Sequence, residues 1–163
     1  MSRLIASLFG VGFLRPGPGT WGSATAILLA WPILALVGPW LLVALLGLVG
    51  GVGFWAASRV IAETGDHDPS WVVIDEVVGQ WIALLPVAVG AARNDAALLA
   101  LWPGWLAAFL LFRLFDIRKP WLVGWADRRG DALGLMLDDV FAGLFAALGV
   151  VVLAGLAHGL LMR

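Results

Sequence analysis

Four long stretches of the sequence contain no Asp, Glu, Lys or Arg: residues 24–58, 77–92, 96–112 and 140–162. Charged residues make up 13% of the chain and apolar residues 62%. In soluble domains about 25% of residues are typically charged and about 45–50% are apolar. Since a membrane-spanning helix needs about 20 apolar residues, we expect these stretches to lie in lipid. The net charge of -1 argues against nucleic acid binding, and the absence of Cys excludes disulfide and thiol chemistry.

The backbone of a membrane span must satisfy its own hydrogen bonds, so only helices or a closed barrel are possible. Long runs of Leu, Ala and Val without polar alternation favour helices. The sequence therefore predicts an all-α, membrane-embedded bundle of about five helices, forming a single domain over residues 1–163. The first predicted helix is short for a span, and a re-entrant segment is the alternative there. The predicted helices cover about 23–37, 40–62, 71–91 with a kink at Pro86, 95–116 and 131–158.

The positive charges are distributed unevenly between the two predicted sides of the membrane. With five spans, only Arg93 and Arg163 fall on one side. Cytoplasmic loops carry an excess of Lys and Arg, so the opposite side is predicted to be cytoplasmic. That side holds Arg3, Arg15, Arg59, Arg113, Arg118, Lys119, Arg128 and Arg129.

A pair of glycines on the second predicted helix, Gly47 and Gly51, has the GxxxG spacing of close helix contacts. Close packing within one bundle is the favoured interpretation, and a dimer face is the alternative.

Two acidic pairs, Asp75-Glu76 and Asp138-Asp139, lie at the predicted cytoplasmic ends of two apolar helices. Carboxylates are costly in or near a bilayer and need a compensating cation, which makes them candidates for chemistry. Neighbours on a helix point about 100° apart. We therefore expect one carboxylate of each pair to bind a first metal, while Glu76 and Asp138 take a second metal, a cation or the proton.

Two further clusters fall on the same side. In residues 15–23, glycine N–H groups and the hydroxyls of Thr20 and Ser23 suit a phosphate, with Ser23 as the N-cap of the next helix. An ordinary Pro/Gly turn is the alternative. In the other cluster, Arg113 and Lys119 suit a phosphate and Asp116 a metal, against an alternative of interfacial snorkelling. Oxygen ligands favour Mg²⁺, Mn²⁺ or Ca²⁺ over zinc, and metal plus cations suit phosphoryl transfer.

These motifs resemble those of the phosphatidylglycerophosphatase A family over nearly the whole chain. The resemblance implies an all-α enzyme of the bacterial inner membrane whose active site faces the cytoplasm. It also implies a Mg²⁺-dependent reaction that converts the lipid phosphatidylglycerophosphate to phosphatidylglycerol and phosphate. The matching stretches are PGPGTWGS at 16–23, VIDEVVG at 73–79, FRLFDIRKP at 112–120 and GLMLDDVFAG at 134–143.

The resemblance also implies roles for individual residues, and it leaves His67 and Asp68 unassigned. The implied catalytic residues are Asp75, Glu76, Asp138 and Asp139. The implied metal ligands are Asp75, Glu76, Asp116 and Asp139. The implied phosphate-binding residues are Arg113 and Lys119, and the 15–23 segment adds Arg15, Gly19, Thr20 and Ser23 as phosphate-binding candidates.

Two other classes of membrane protein use embedded carboxylates. A CDP-alcohol phosphotransferase, another lipid phosphotransferase, would need an Asp-x-x-Asp-Gly…Asp-x-x-x-Asp pattern, which this sequence lacks. A transporter would couple ions through carboxylates, but it would need polar residues on both sides of the midplane. Here the polar clusters fall on one side, which favours the phosphatase.

Overall fold

The computed structural model describes residues 1–161, so Arg163, assigned above to the second side of the membrane, lies outside the described residues. Within this range the chain forms seven α-helices and two short 3-10 turns, with no strand, which confirms the all-α prediction. The 3-10 turns are Val11–Phe13 and Leu98–Leu101. The helices are α1 Ser2–Ala6, α2 Pro18–Leu36, α3 Pro39–Thr64, α4 Ile74–Arg93, α5 Trp102–Arg118, α6 Leu122–Asp127 and α7 Ala132–Leu161.

Five of these helices are long and apolar enough to cross a membrane, as predicted: α2, α3, α4, α7, and α5 with its preceding 3-10 turn. The first span starts earlier than expected, because Pro18 occupies the first turn of α2, where a missing N–H costs nothing. At 19 residues it is long enough to span. The prediction that Ser23 caps this helix was wrong, since Gly17 holds that position in a left-handed conformation.

Helix α4 is the centre of the bundle. In its most apolar stretch 78% of residues are buried, against 11–28% in the other four spans. It packs against α2, α3, α5 and α7. The other spans expose large apolar side chains, including Leu28, Trp40, Leu110 and Leu148, as expected for surfaces that meet lipid.

Glycines bring α4 and α7 into backbone contact close to both acidic pairs. A Cβ atom on Gly143 would overlap the carbonyl oxygen of Gly79. A Cβ atom on Gly79 would lie 2.6 Å from the Asp139 carbonyl oxygen and would overlap the ring of Phe112 on α5. Small residues allow such close approach of membrane helices. This contact fixes the distance between the helices that carry the carboxylates.

The GxxxG pair on α3 packs differently from the favoured interpretation. A Cβ atom on Gly47 or Gly51 would meet nothing within 4 Å. Close packing of these glycines within the bundle was therefore a wrong expectation, because α3 turns this face away from its neighbours.

Candidate active site

Carboxylates from three spans surround a cavity of about 210 Å³ at one end of the bundle. The cavity lies where α2, α4 and α7 begin and α5 ends. All four members of the two acidic pairs are at most 8% exposed. The acidic lining consists of Asp68, Asp75, Glu76, Asp116, Asp138 and Asp139.

The pair on α4 is divided between two environments. Asp75 Oδ1 accepts the backbone N–H of Glu76 at 3.0 Å. Glu76 turns toward α2 and α5, where its Oε2 accepts the Ser23 hydroxyl at 2.8 Å. Both Glu76 oxygens also accept Nη1 of Arg113, at 2.5 and 2.6 Å. Because adjacent residues on a helix point in different directions, Glu76 contacts Arg113 while Asp75 remains at the cavity wall.

The pair on α7 repeats this arrangement. Asp138 Oδ1 accepts the backbone N–H of Asp139 at 2.9 Å, and Asp138 Oδ2 accepts Nζ of Lys119 at 3.1 Å. Asp139 is 3% exposed and forms no ion pair within residues 1–161. Each acidic pair thus places one carboxylate on a cation.

Three carboxylates from different helices converge in the described part of the chain. One oxygen each from Glu76, Asp116 and Asp139 lies within 4.8 Å of the others, close enough for a metal ion to bind all three. Of the predicted metal set, Asp75 lines the cavity but is outside this group. Its side chain is held by its own helix, whereas Glu76 faces α5.

Arg113 is the cation of this group. Its Nη1 lies 2.8 Å from Asp116 Oδ2 as well as contacting Glu76. The Nε of Arg113 and both side-chain polar atoms of the fully buried Gln80 have no hydrogen-bond partner among residues 1–161. Gln80 follows Glu76 by one helical turn, so it lies on the same face of α4.

Lys119 lies just beyond the end of α5, in a left-handed conformation with φ of 47°. Its ammonium contacts Asp138 and also Asp127 at the end of α6. Burial lowers the pKa of Lys119, but the bonds to these two carboxylates outweigh burial and raise the pKa above its usual value. Asp127 was not among the predicted site residues, and its place in the charged stretch 127–131 is the one sequence signal that points to it.

The glycine-rich segment contributes less to the cavity than its sequence suggested. Gly19 lines the cavity, and Ser23 is buried behind Glu76. Arg15 and Thr20 are exposed and do not line the cavity. Gly19 lies inside α2, so it forms part of a helix turn and not of a loop.

The segment between α3 and α4 adds further residues to the lining of the cavity. Asp68, to which the resemblance assigns no role, lines the cavity together with Ser70, which was not among the predicted site residues. His67 is exposed and is not part of the lining.

A larger cavity of about 510 Å³ lies at the other end of α4. Its walls are mainly apolar and include Trp31, Leu34 and Ala91, with Asp95 as the one carboxylate among the lining residues. It lacks the converging charges of the acidic cavity, so the candidate active site is the smaller of the two.

Comparisons with known proteins agree over nearly the whole chain. The profile of the Phosphatidylglycerophosphatase A family matches residues 4–154. A protein of that name from Haemophilus influenzae is 36% identical over 91% of this chain and 85% of its own length. The protein of that name from Escherichia coli is 34% identical over 89% of this chain and 78% of its own.

A Bacteroides thetaiotaomicron protein named "Putative phosphatidylinositol-3-phosphatase" is 39% identical over 91% of both chains. No solved structure matches this chain. The family profile and the two relatives of the same name confirm the resemblance found in the four sequence motifs, and with it a phosphatase, which is a hydrolase. The chain belongs to the phosphatidylglycerophosphatase A family.

Proposed function

We propose that this protein hydrolyses the terminal phosphate of phosphatidylglycerophosphate, using Mg²⁺ at the acidic cavity on the cytoplasmic side of a bacterial inner membrane. The observation that carries the proposal is the convergence of Glu76, Asp116 and Asp139 beside Arg113. The names of the Haemophilus and Escherichia relatives support the substrate.

The residues at the cavity suit a divalent cation. Three carboxylates from α4, α5 and α7 place oxygens within 4.8 Å of one another, and such a cluster is unfavourable without positive charge between them. Arg113 contacts two of the three and leaves Asp139 without a cation. Oxygen ligands alone are typical of Mg²⁺ sites.

Glu76, Asp116 and Asp139 would hold the ion, with Asp75 beside them. When bound, Mg²⁺ would neutralise charge on the phosphoryl oxygens and lower the pKa of a bound water. Lys119 lines the cavity and is the cation placed to bind the phosphate oxygens, while Arg113 lies behind the lining on Glu76 and Asp116. Asp138 faces the same cavity and is placed to accept the proton of an attacking water, or to attack phosphorus itself.

The position of the cavity relative to the membrane spans suits a lipid substrate. Five apolar spans hold the bundle in the membrane, while the acidic cavity lies at the ends of the spans. A lipid can therefore keep its acyl chains in the bilayer while its charged head group enters the cavity.

Phosphate release tests the chemistry. The full-length protein in detergent is incubated with phosphatidylglycerophosphate, with excess EDTA or with added Mg²⁺, and free phosphate is measured. We expect release with Mg²⁺, none with EDTA, and recovery when Mg²⁺ is restored. Release that is unchanged in EDTA would refute the metal requirement, and no release under any condition would refute the activity.

A second candidate substrate is a phosphoinositide, which is the substrate class in the name of the Bacteroides relative. Both substrates present a phosphate monoester on a lipid head group, so the same site suits either. Comparing kcat/KM for the two lipids under the same conditions decides between them, and the higher value identifies the preferred head group.

The orientation of the site can be tested because the chain has no native cysteine. Single cysteines are introduced on the two sides of the bundle, by Asp66→Cys before α4 and by Asn94→Cys after it. A membrane-impermeant maleimide applied to spheroplasts should label Asn94→Cys and spare Asp66→Cys until the membrane is opened. The reverse pattern would place the cavity outside the cytoplasm.

A further inference from the structure

The two carboxylates that hold Lys119 differ in their relation to the cavity. Asp138 lines the cavity, so its contact with the ammonium faces the space where a phosphate would bind. Asp127 belongs to α6 and does not line the cavity, so it holds the same ammonium from outside.

A phosphate that enters the cavity therefore competes with one partner of Lys119 and not with the other. The cavity is rich in carboxylates, and Lys119 is the only cation among its lining residues. Transfer of the ammonium from Asp138 to a phosphate oxygen would free the Asp138 carboxylate. Asp127 would keep its contact throughout, because it does not compete for the same space.

Helix α6 is held close to the backbone of Lys119. A Cβ atom on Gly124 would lie 2.5 Å from the carbonyl oxygen of Lys119. Val123 and Ala126 of α6 are fully buried, and α6 packs against α7. The carboxylate at the end of this helix is therefore in a fixed position relative to the lysine.

We infer that Asp127 is a positioning residue of the phosphatase site, which keeps the Lys119 ammonium at the cavity while that ammonium exchanges Asp138 for a phosphate oxygen. The inference rests on the proposed function for the identity of the phosphate ester. The simpler interpretation is a surface ion pair, since the side chains of Lys119 and Asp127 are 31% and 36% exposed. Pairs of this kind contribute little to stability, so the two interpretations differ in activity and not in folding.

The test is a double-mutant cycle in the full-length protein in detergent. It compares Asp127→Asn, Lys119→Met and the double variant, with Asp127→Glu as the conservative replacement. Glu63→Gln is the matched control, because it removes a carboxylate from the exposed Arg3–Glu63 ion pair outside the cavity. The readouts are KM and kcat on the lipid phosphate, and the rise in Tm produced by inorganic phosphate.

We expect Asp127→Asn to raise KM and weaken phosphate binding on the order of tenfold, because small misplacements of a binding group are costly. Asp127→Glu should recover most of the loss, and Glu63→Gln should resemble wild type. Since Asp127 acts through Lys119, the double variant should be no worse than Lys119→Met alone.

Two results would overturn the inference: an Asp127→Asn variant with wild-type KM and phosphate binding, or losses that add fully in the double variant. If the wild-type protein releases no phosphate from lipid, but Asp127→Asn still abolishes the Tm rise with inorganic phosphate, the positioning role stands. The proposed function alone would then fail.

Discussion

Two groups of cations and carboxylates meet at the cavity, and they are built in different ways. In the Arg113 group, which comprises Arg113, Glu76 and Asp116, every member lies on a membrane span. In the Lys119 group, which comprises Lys119, Asp127 and Asp138, only Asp138 does. The cations are 14% and 31% exposed, respectively.

This difference separates a fixed part of the site from an adjustable one. Removing one partner of a buried ion pair typically costs about 3–5 kcal/mol, because the other charge remains buried and unpaired. The Lys119–Asp127 pair is more exposed, with side chains 31% and 36% accessible, and exposed pairs typically contribute about 0–1 kcal/mol. We therefore expect the Arg113 group to set the geometry of the carboxylates, and the more exposed Lys119 to be the cation that exchanges partners, as inferred above.

The largest effect should come from Asp139, a member of the three-carboxylate cluster that neither cation holds. Asp139→Asn removes one negative charge from the Glu76–Asp116–Asp139 cluster and leaves both cation groups in place. We expect turnover to be abolished. Insertion and folding should be retained, because the change relieves repulsion among the carboxylates. Phosphate release, Tm and the rise in Tm with Mg²⁺ measure these effects, and near-normal turnover would exclude Asp139 from the site.

A matched pair of swaps compares the two cations directly. Arg113→Lys keeps the charge but loses contacts that a guanidinium makes with two carboxylates, so kcat should fall roughly a hundredfold and Tm should fall as well. Lys119→Arg keeps a cation at a more exposed position, where the side chain has room to adjust, so we expect a much smaller fall in kcat and Tm. Equal losses in the two variants would show that the groups do not differ as described.

Gly19→Ala tests how tightly the Arg113 group is enclosed. The new Cβ atom would overlap Glu76 Oε1 and would lie 3.0 Å from both terminal nitrogens of Arg113. We expect kcat/KM to fall about tenfold, because the guanidinium must move. Gly90→Ala is the control, since its Cβ atom would meet nothing within 4 Å. Wild-type kinetics in Gly19→Ala would show that the Arg113 group tolerates displacement.

The smallest effect is expected beyond the Lys119 group, at the start of α7. Asp131 Oδ1 accepts the backbone N–H of Gly134 at 2.7 Å, which caps the helix. The bond from Arg129 lowers the pKa of Asp131, so the cap stabilises the fold near neutral pH and is lost as the pH falls below 3.8. Asp131→Ala should slightly lower Tm at neutral pH with unchanged kcat/KM. A large loss of activity would show that the Lys119 group depends on the exact position of the start of α7, contrary to the proposal.

Much of the architecture could be predicted because lipid imposes simple rules. The uncharged stretches predicted five spans, and five helices are long and apolar enough to cross a membrane. Their boundaries were less predictable. Pro18 begins α2, so a segment expected to be a phosphate-binding loop is partly helical, and Ser23 bonds Glu76 from inside the helix.

The residues that face the cavity were harder to predict. Adjacent residues on a helix point about 100° apart, so the two carboxylates of each acidic pair had to face different surroundings. This rule does not determine which member of the α4 pair faces α5. That choice depends on the rotation of α4 in the bundle, which puts Glu76 on Arg113 and leaves Asp75 at the wall. Asp127 lies eight residues from Lys119, and only the fold of α6 brings the two side chains together.

By itself, the sequence determined that this chain is a helical membrane protein, and its four motifs determined its family. Both depend on local properties, namely hydropathy over about 20 residues and the order of short motifs. Tertiary structure alone decided which carboxylates converge and which cation each one meets. Those contacts join residues far apart in the chain, and they depend on the glycine contact between α4 and α7 and on the rotation of each helix.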